Sequence, residues 1–81
     1  MRGVVGLVNR RDWVAVRTAD GWSVCEVLGS APELGEEVEG ELDLGGGTTL
    51  RSDAGEEYDV VVQLALVSKA AARRMLEETA R

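Results

Sequence analysis

Residues 13–28, WVAVRTADGWSVCEVL, form the segment that decides the fold. Apolar runs alternate with polar residues on both sides of Asp20-Gly21, and an Asp-Gly pair is typical of a tight β-hairpin turn. With Asp20-Gly21 at the centre of the turn, Val16 lies opposite Cys25. The residues that this register places on one face are small and wholly apolar: Val14, Val16, Cys25 and Val27. The segment therefore predicts a hairpin whose one face suits the interior of a barrel.

Four further segments have strand character. Two of them, Gly3–Val8 and Tyr58–Val67, are apolar runs typical of buried strands. Thr48–Arg51 is a short strand after three glycines. Glu37–Leu44 alternates strictly, which points Val38, Leu42 and Leu44 inward. Its outward residues form an acidic stripe: Glu37, Glu39, Glu41 and Asp43.

The end of the chain has the pattern of a helix. Ser68 is a good N-cap for a helix from Lys69 to about Ala80. We therefore expect one mainly β domain over residues 1–81, with a small five- or six-stranded antiparallel barrel in 3–67 and a short C-terminal helix in 68–81.

The composition argues against catalysis and against metal binding. The chain has no histidine and a single cysteine, Cys25, so it lacks the commonest acid–base group and the commonest zinc ligands. The hairpin register points Cys25 into the core, as a structural thiol. We expect no catalytic residues, no cofactor and no metal. One cysteine, no apolar stretch of about 18–20 residues and no signal-peptide pattern predict a cytoplasmic protein outside the membrane.

The net charge of −6 is unevenly distributed. Residues 31–59 contain ten acidic side chains and one arginine, whereas residues 1–30 and 60–81 each carry a small positive excess. Acidic proteins are less often nucleic-acid binders, because contacts to phosphate supply most of that affinity. A local basic face is still compatible with this distribution.

The order of the segments resembles the oligonucleotide/oligosaccharide-binding (OB) barrel, of the cold-shock or ribosomal RNA-binding type. The resemblance covers about two-thirds of the chain and rests on four stretches: Gly3–Val8, the Val14–Val16 and Val24–Val27 hairpin, Leu34–Val38 and Thr48–Arg51. The segments themselves predict short strands in meander order, and the resemblance implies binding of single-stranded RNA or DNA on the second and third strands. Members that bind nucleic acid stack bases on aromatic residues there. This chain departs from that pattern, because phenylalanine is absent and only Trp13 is suitably placed.

Two surfaces are candidates for binding. The first combines guanidinium groups with indoles, which suit phosphate contact and base stacking; its residues are Arg10, Arg11, Trp13, Arg17 and Trp22. The alternative is an ordinary polar loop with Trp13 packed on Leu28 or under the helix.

The second surface is apolar and suits a protein partner or a second copy; its residues are Leu28, Ala72, Met75 and Leu76. The same helix face can instead cap the barrel of its own chain, and the acidic stripe can face a basic protein or only solvent.

The composition also predicts heat adaptation. Arginine outnumbers lysine eight to one, and Asn9 and Gln63 are the only side-chain amides. Few thermolabile residues are typical of thermophile proteins, although a GC-rich coding sequence produces the same bias. We expect a melting midpoint above about 65 °C by calorimetry. A midpoint in the ordinary mesophile range would favour the coding-bias explanation.

Overall fold

Six antiparallel strands close into a barrel in the computed structural model of the protein, which describes all 81 residues. The elements in chain order are β1 Arg2–Val8, β2 Trp13–Thr18, β3 Gly21–Leu28, β4 Glu37–Glu39, β5 Gly46–Ser52, β6 Glu57–Val67 and the helix α1 Lys69–Thr79. This confirms the predicted fold class of a mainly β barrel with one short C-terminal helix. The barrel is closed and compatible with an OB-like barrel. No helix is long and apolar enough to cross a membrane.

The strands do not follow one another around the barrel as a simple meander. Their order is β1-β2-β3-β6-β5-β4, with β4 returning beside β1 and β6 pairing with β3. The connection 29–36 crosses one end of the barrel and brings Glu39 opposite Arg2. A fourth strand that returns beside the first after a long connection is a Greek key. The expected meander order was therefore wrong at the connection from β3 to β4, whereas β4, β5 and β6 again pair in sequence.

The predicted hairpin forms, but its register differs from the expected one. Thr18 pairs with Gly21 and Val16 with Ser23, so the turn residues are Ala19 and Asp20. The Thr18 hydroxyl accepts from Asp20 N at 3.1 Å and donates to Gly21 O at 2.8 Å, which fixes the turn one residue earlier. Gly21 supplies the positive φ of 139° that follows it. Pairing shifts by two residues, so each side chain keeps its predicted face.

The alternating segment 37–44 is a strand only over Glu37–Glu39. Gly40 lies so close to β5 that a Cβ there would sit 2.9 Å from Thr49 O, and the chain bends after it. Leu42 then turns back into the core and is fully buried, whereas Leu44 is 60% exposed. The prediction that Leu44 points inward was wrong, because the bend ends the alternation.

Two apolar clusters stabilise the fold. The first fills the barrel and includes the predicted inner face of the hairpin, Val14, Val16, Cys25 and Val27. The second lies on the outer wall, where α1 covers the outward faces of β2 and β3. Its buried residues are Ala15, Val24, Ala72 and Leu76. The helix thus packs on its own chain, along the wall of the barrel and not across its open end.

Ser23 is a fully buried polar residue inside the barrel. Its hydroxyl donates to Leu42 O at 2.7 Å and accepts from Leu66 N at 3.2 Å. Leu66 has a left-handed φ of 55°, at a place where the pairing of β3 with β6 is irregular. One hydroxyl therefore supports the bend that follows Gly40 and a strained residue near the end of β6.

The crossing connection is held by a hydrogen bond between side chains. Tyr58, buried on β6, donates its hydroxyl to Glu36 Oε2 at 2.6 Å, and Glu36 Oε1 accepts from Glu33 N at 3.0 Å. The Tyr58 hydroxyl lowers the pKa of the Glu36 carboxyl below its ordinary value. The same hydrogen bond to the carboxylate raises the pKa of Tyr58 to about 12.

Ser23→Ala should lower the free energy of unfolding by about 1–3 kcal/mol, since it removes the hydroxyl that Leu42 O and Leu66 N share. Urea unfolding with an unchanged m-value measures the loss. Ser30→Ala, in the exposed connection, is the matched control and should change stability by less than about 0.5 kcal/mol. Equal midpoints for both variants would contradict this role of Ser23.

Tyr58→Phe should cost about 1 kcal/mol at neutral pH, at the low end for a bond to a charged group because Glu36 is partly exposed. The lowered pKa of Glu36 gives stability that is present above its unfolded pKa and is lost as pH falls through the folded value. The raised pKa of Tyr58 gives stability that is present below its unfolded pKa, roughly 10, and is lost as pH rises toward about 12. The difference between wild type and Tyr58→Phe should therefore be largest near neutrality and shrink at both extremes of a urea-unfolding series. A difference that stays constant with pH would contradict the bond.

Candidate functional site

The loop between β1 and β2 is organised by Asn9. Its Oδ1 accepts from the backbone N of Arg11 at 2.9 Å and of Trp13 at 3.1 Å. Its Nδ2 donates to Leu76 O at 2.9 Å and to Thr79 Oγ1 at 3.0 Å. The loop that carries Arg10 and Arg11 is thus tied to the last turn of α1.

Arg10 and Arg11 have different surroundings. Arg10 Nε donates to Ala80 O at 2.7 Å, which places a cation at the helix C-terminus, where the carbonyl groups carry partial negative charge. Arg11 is exposed and forms no ion pair. One predicted site arginine therefore helps to hold the helix, and the other is free to contact a ligand.

The two indoles lie against the outer wall. Trp13 and Trp22 are both half-buried and pack against the outer cluster under α1. Trp22 rests on Gly6, where an added Cβ would be 2.6 Å from the ring, and Lys69 Nζ lies over the ring at 5.6 Å from its centroid. Arg17 is exposed on β2, opposite Trp22. The structure brings Arg17, Trp22 and Lys69 together, but much of the surface of both rings already contacts the protein.

The unpaired cations lie apart from the ion pairs, although five acidic side chains lie on the same or neighbouring elements: Asp12, Asp20, Glu26, Glu77 and Glu78. All three ion pairs lie on the side of β4, β5 and their flanking turns: Arg2–Glu39, Arg2–Asp53 and Arg51–Glu57. The other seven of the nine cationic side chains form no ion pair and belong to β2, the β1–β2 loop, α1 and the C-terminal residue. We call six of them the cationic face: Arg10, Arg11, Arg17, Lys69, Arg73 and Arg74. The acidic stripe lies on the side of the ion pairs, with Glu37 and Glu39 exposed on β4 and Glu41 and Asp43 in the turns after it.

The residues expected to contact a protein partner are split between the core and the surface. Ala72 and Leu76 are buried against the barrel, with Met75 half-buried beside them. Leu28 is 54% exposed at the end of β3. This helix face is occupied within the chain, so only Leu28 of the four presents a large free surface.

Sequence reasoning missed an apolar surface at one end of the barrel. Val8, at the end of β1, is 45% exposed, and Leu34, in the crossing connection, is 63% exposed. They line a groove of about 300 Å³ together with Ala31 and Pro32. The available signal was an apolar residue at the end of a strand and another in a turn, and neither stands out without the fold that brings them together.

Cys25 and Tyr58, two groups that could take part in chemistry, have structural surroundings. Burial raises the pKa of the Cys25 thiol to about 12, so the thiol is neutral at physiological pH and a poor nucleophile. Tyr58 donates to Glu36 and thereby stabilises the structure.

Comparison with known proteins gave no match of any kind: no protein-family model, no curated protein and no solved structure is significantly similar to the chain. The cationic face and the apolar end of the barrel are the two surfaces from which a function can be inferred.

Proposed function

We propose that this chain is a small non-catalytic binding module that binds single-stranded nucleic acid through the cationic face, with RNA as the favoured ligand. The observation that carries the proposal is the group of unpaired cations on α1, β2 and the β1–β2 loop, whereas Arg2 and Arg51 on the other side of the barrel are both paired. Contacts between such cations and phosphate supply most of the affinity of nucleic-acid binding. The barrel itself agrees with the OB-like resemblance.

Binding on this face uses phosphate contacts more than base stacking. In the OB-like group, bases stack on the outer faces of strands that α1 covers here. Trp22 is the indole best placed to meet a base, because Arg17 and Lys69 flank it with positive charge. A base that stacks there has to displace the Lys69 ammonium group from the ring. We therefore expect little sequence preference and modest affinity.

The salt dependence of binding measures the phosphate contacts directly. A labelled single-stranded RNA or DNA oligonucleotide is titrated with the protein at several salt concentrations, with fluorescence anisotropy as the readout. For single strands, the slope of log K against log salt is about −0.7 per neutralised phosphate, so four to six contacts give about −3 to −4. Arg11→Ala should make the slope less steep by about 0.7 and weaken binding.

Arg51→Ala is the matched control, because it removes the same charge from the chain. Arg51 is paired with Glu57 at 2.6 Å, outside the cationic face, and its loss should leave the slope unchanged. Equal effects of the two variants would mean that only total charge matters and would remove the proposed site. Absence of binding at low salt would overturn the proposal altogether.

A protein-interaction module is the second candidate function. The exposed apolar side chains at the barrel end, Val8, Leu28 and Leu34, favour it. Scattered single apolar residues are normal on a protein surface, but adjacent ones that line a groove are typical of contact sites. On this reading the chain binds a second copy of itself, or its acidic stripe binds a basic protein. It predicts a stable oligomer or complex and no response to oligonucleotides.

A further inference from the structure

Two grooves meet at the apolar end of the barrel, and Val8 and Asn9 separate them. We call the first the end groove; it lies between the β1–β2 loop and the crossing connection, and Leu34 stands on its rim. We call the second the helix groove; it has a volume of about 220 Å³ and lies between β1 and α1. Its apolar walls are Leu7, Val8, Leu76 and Ala80. A protruding apolar side chain thus lies next to an apolar groove on the same surface.

The rims of the two grooves carry opposite charges. The end groove is lined by Asp12 and Glu33 and by no cation. The helix groove is lined by Arg73, and Arg10 is fixed at its end through the bond to Ala80 O. Glu77 also lies on this rim, so its net charge is positive by one among these three residues. None of the five charged groups forms an ion pair within the chain.

This arrangement is complementary to itself. In a two-fold symmetric contact, each residue that meets a partner residue is met by the same residue in return. An axis near Val8 would place the acidic rim of one copy against the cationic rim of the other. The same rotation would bring each Leu34 to the helix groove of the other copy, where Leu76 and Leu7 form the walls.

A stable interface buries roughly 800 Å² on each partner. That is about a sixth of the 4556 Å² of accessible surface of this chain. A stable pairing therefore needs a contact of that extent around the two grooves.

We propose that two copies of this chain pair about a two-fold axis near Val8, with Leu34 of each copy seated in the helix groove of the other. The contact shares Arg10 and Arg73 with the cationic face and leaves Arg11, Arg17, Lys69 and Arg74 to nucleic acid. It does not rest on the proposed nucleic-acid binding. Because the site is self-complementary, its occupant is a second copy of the chain.

Sedimentation equilibrium of the full chain, from micromolar to submillimolar concentration, tests the pairing. The wild type should reach twice the mass of a single chain. Leu34→Glu should raise the dissociation constant roughly 30-fold, because an apolar anchor is replaced by a charge next to an acidic rim. Leu44→Glu is the matched control, since Leu44 is exposed to a similar extent in the turn before β5 and should not change the constant.

A charge exchange gives a second readout that does not depend on Leu34. Glu33→Arg should weaken the pairing, and Glu33→Arg combined with Arg73→Glu should restore it, because the side chains at positions 33 and 73, which face each other across the contact, are again opposite in charge. A single-chain mass at every concentration would overturn the proposal. A dimer that Leu34→Glu and Leu44→Glu affect equally, or that the double exchange fails to restore, would place the interface elsewhere and overturn it as well.

Discussion

The packing of Ala72 and Leu76 on Ala15 and Val24 determines which surfaces of this protein are available for binding. All four residues are buried in one cluster on the outside of the barrel. Ala15 and Val24 are small, so the helix can lie close to the wall. Asn9 then ties the β1–β2 loop to the last turn of α1. The packing of α1 on β2 and β3 buries the wall on which an OB-like domain would stack bases. It also places the cations of the helix and of the β1–β2 loop on the same side of the barrel.

The fold was predictable wherever local chemistry specifies it. The Asp-Gly turn and the alternation around it predicted the hairpin. The predicted register was wrong by two residues, and because side chains alternate with a period of two, each residue still lies on its predicted face. Ser68 predicted the helix start, and its hydroxyl accepts from Ala71 N. The end of β4 was not predictable, because the bend at Gly40 comes from close contact with Thr49 on another strand. The same limit applies to the Greek-key crossing, which depends on pairing between distant segments.

The candidate site was only partly predictable, for a related reason. The residue types identified Arg11 and Arg17 as exposed cations, and the structure leaves both exposed. For Trp13, the sequence left open both ligand contact and packing under the helix, and nothing local to the residue decides between them; in the structure it packs against the cluster under α1. The small outward pair Ala15 and Val24 was an available signal, since small apolar residues on a solvent face need a cover. The apolar end of the barrel depends wholly on tertiary structure.

The separation of charge decides how an acidic chain can bind a polyanion. The molecule measures 30 × 25 × 22 Å, and the Debye length is about 8–10 Å at physiological ionic strength. A phosphate at the cationic face is therefore screened from most of the acidic side chains in residues 31–59. The net charge of −6 overstates the repulsion between this phosphate and the protein. At about 0.01 M salt the Debye length grows to roughly 30 Å, as long as the molecule itself, and these acidic side chains then repel the ligand as well. Affinity should consequently level off or fall at very low salt, unlike that of a uniformly basic protein, whose affinity rises continuously as salt is removed.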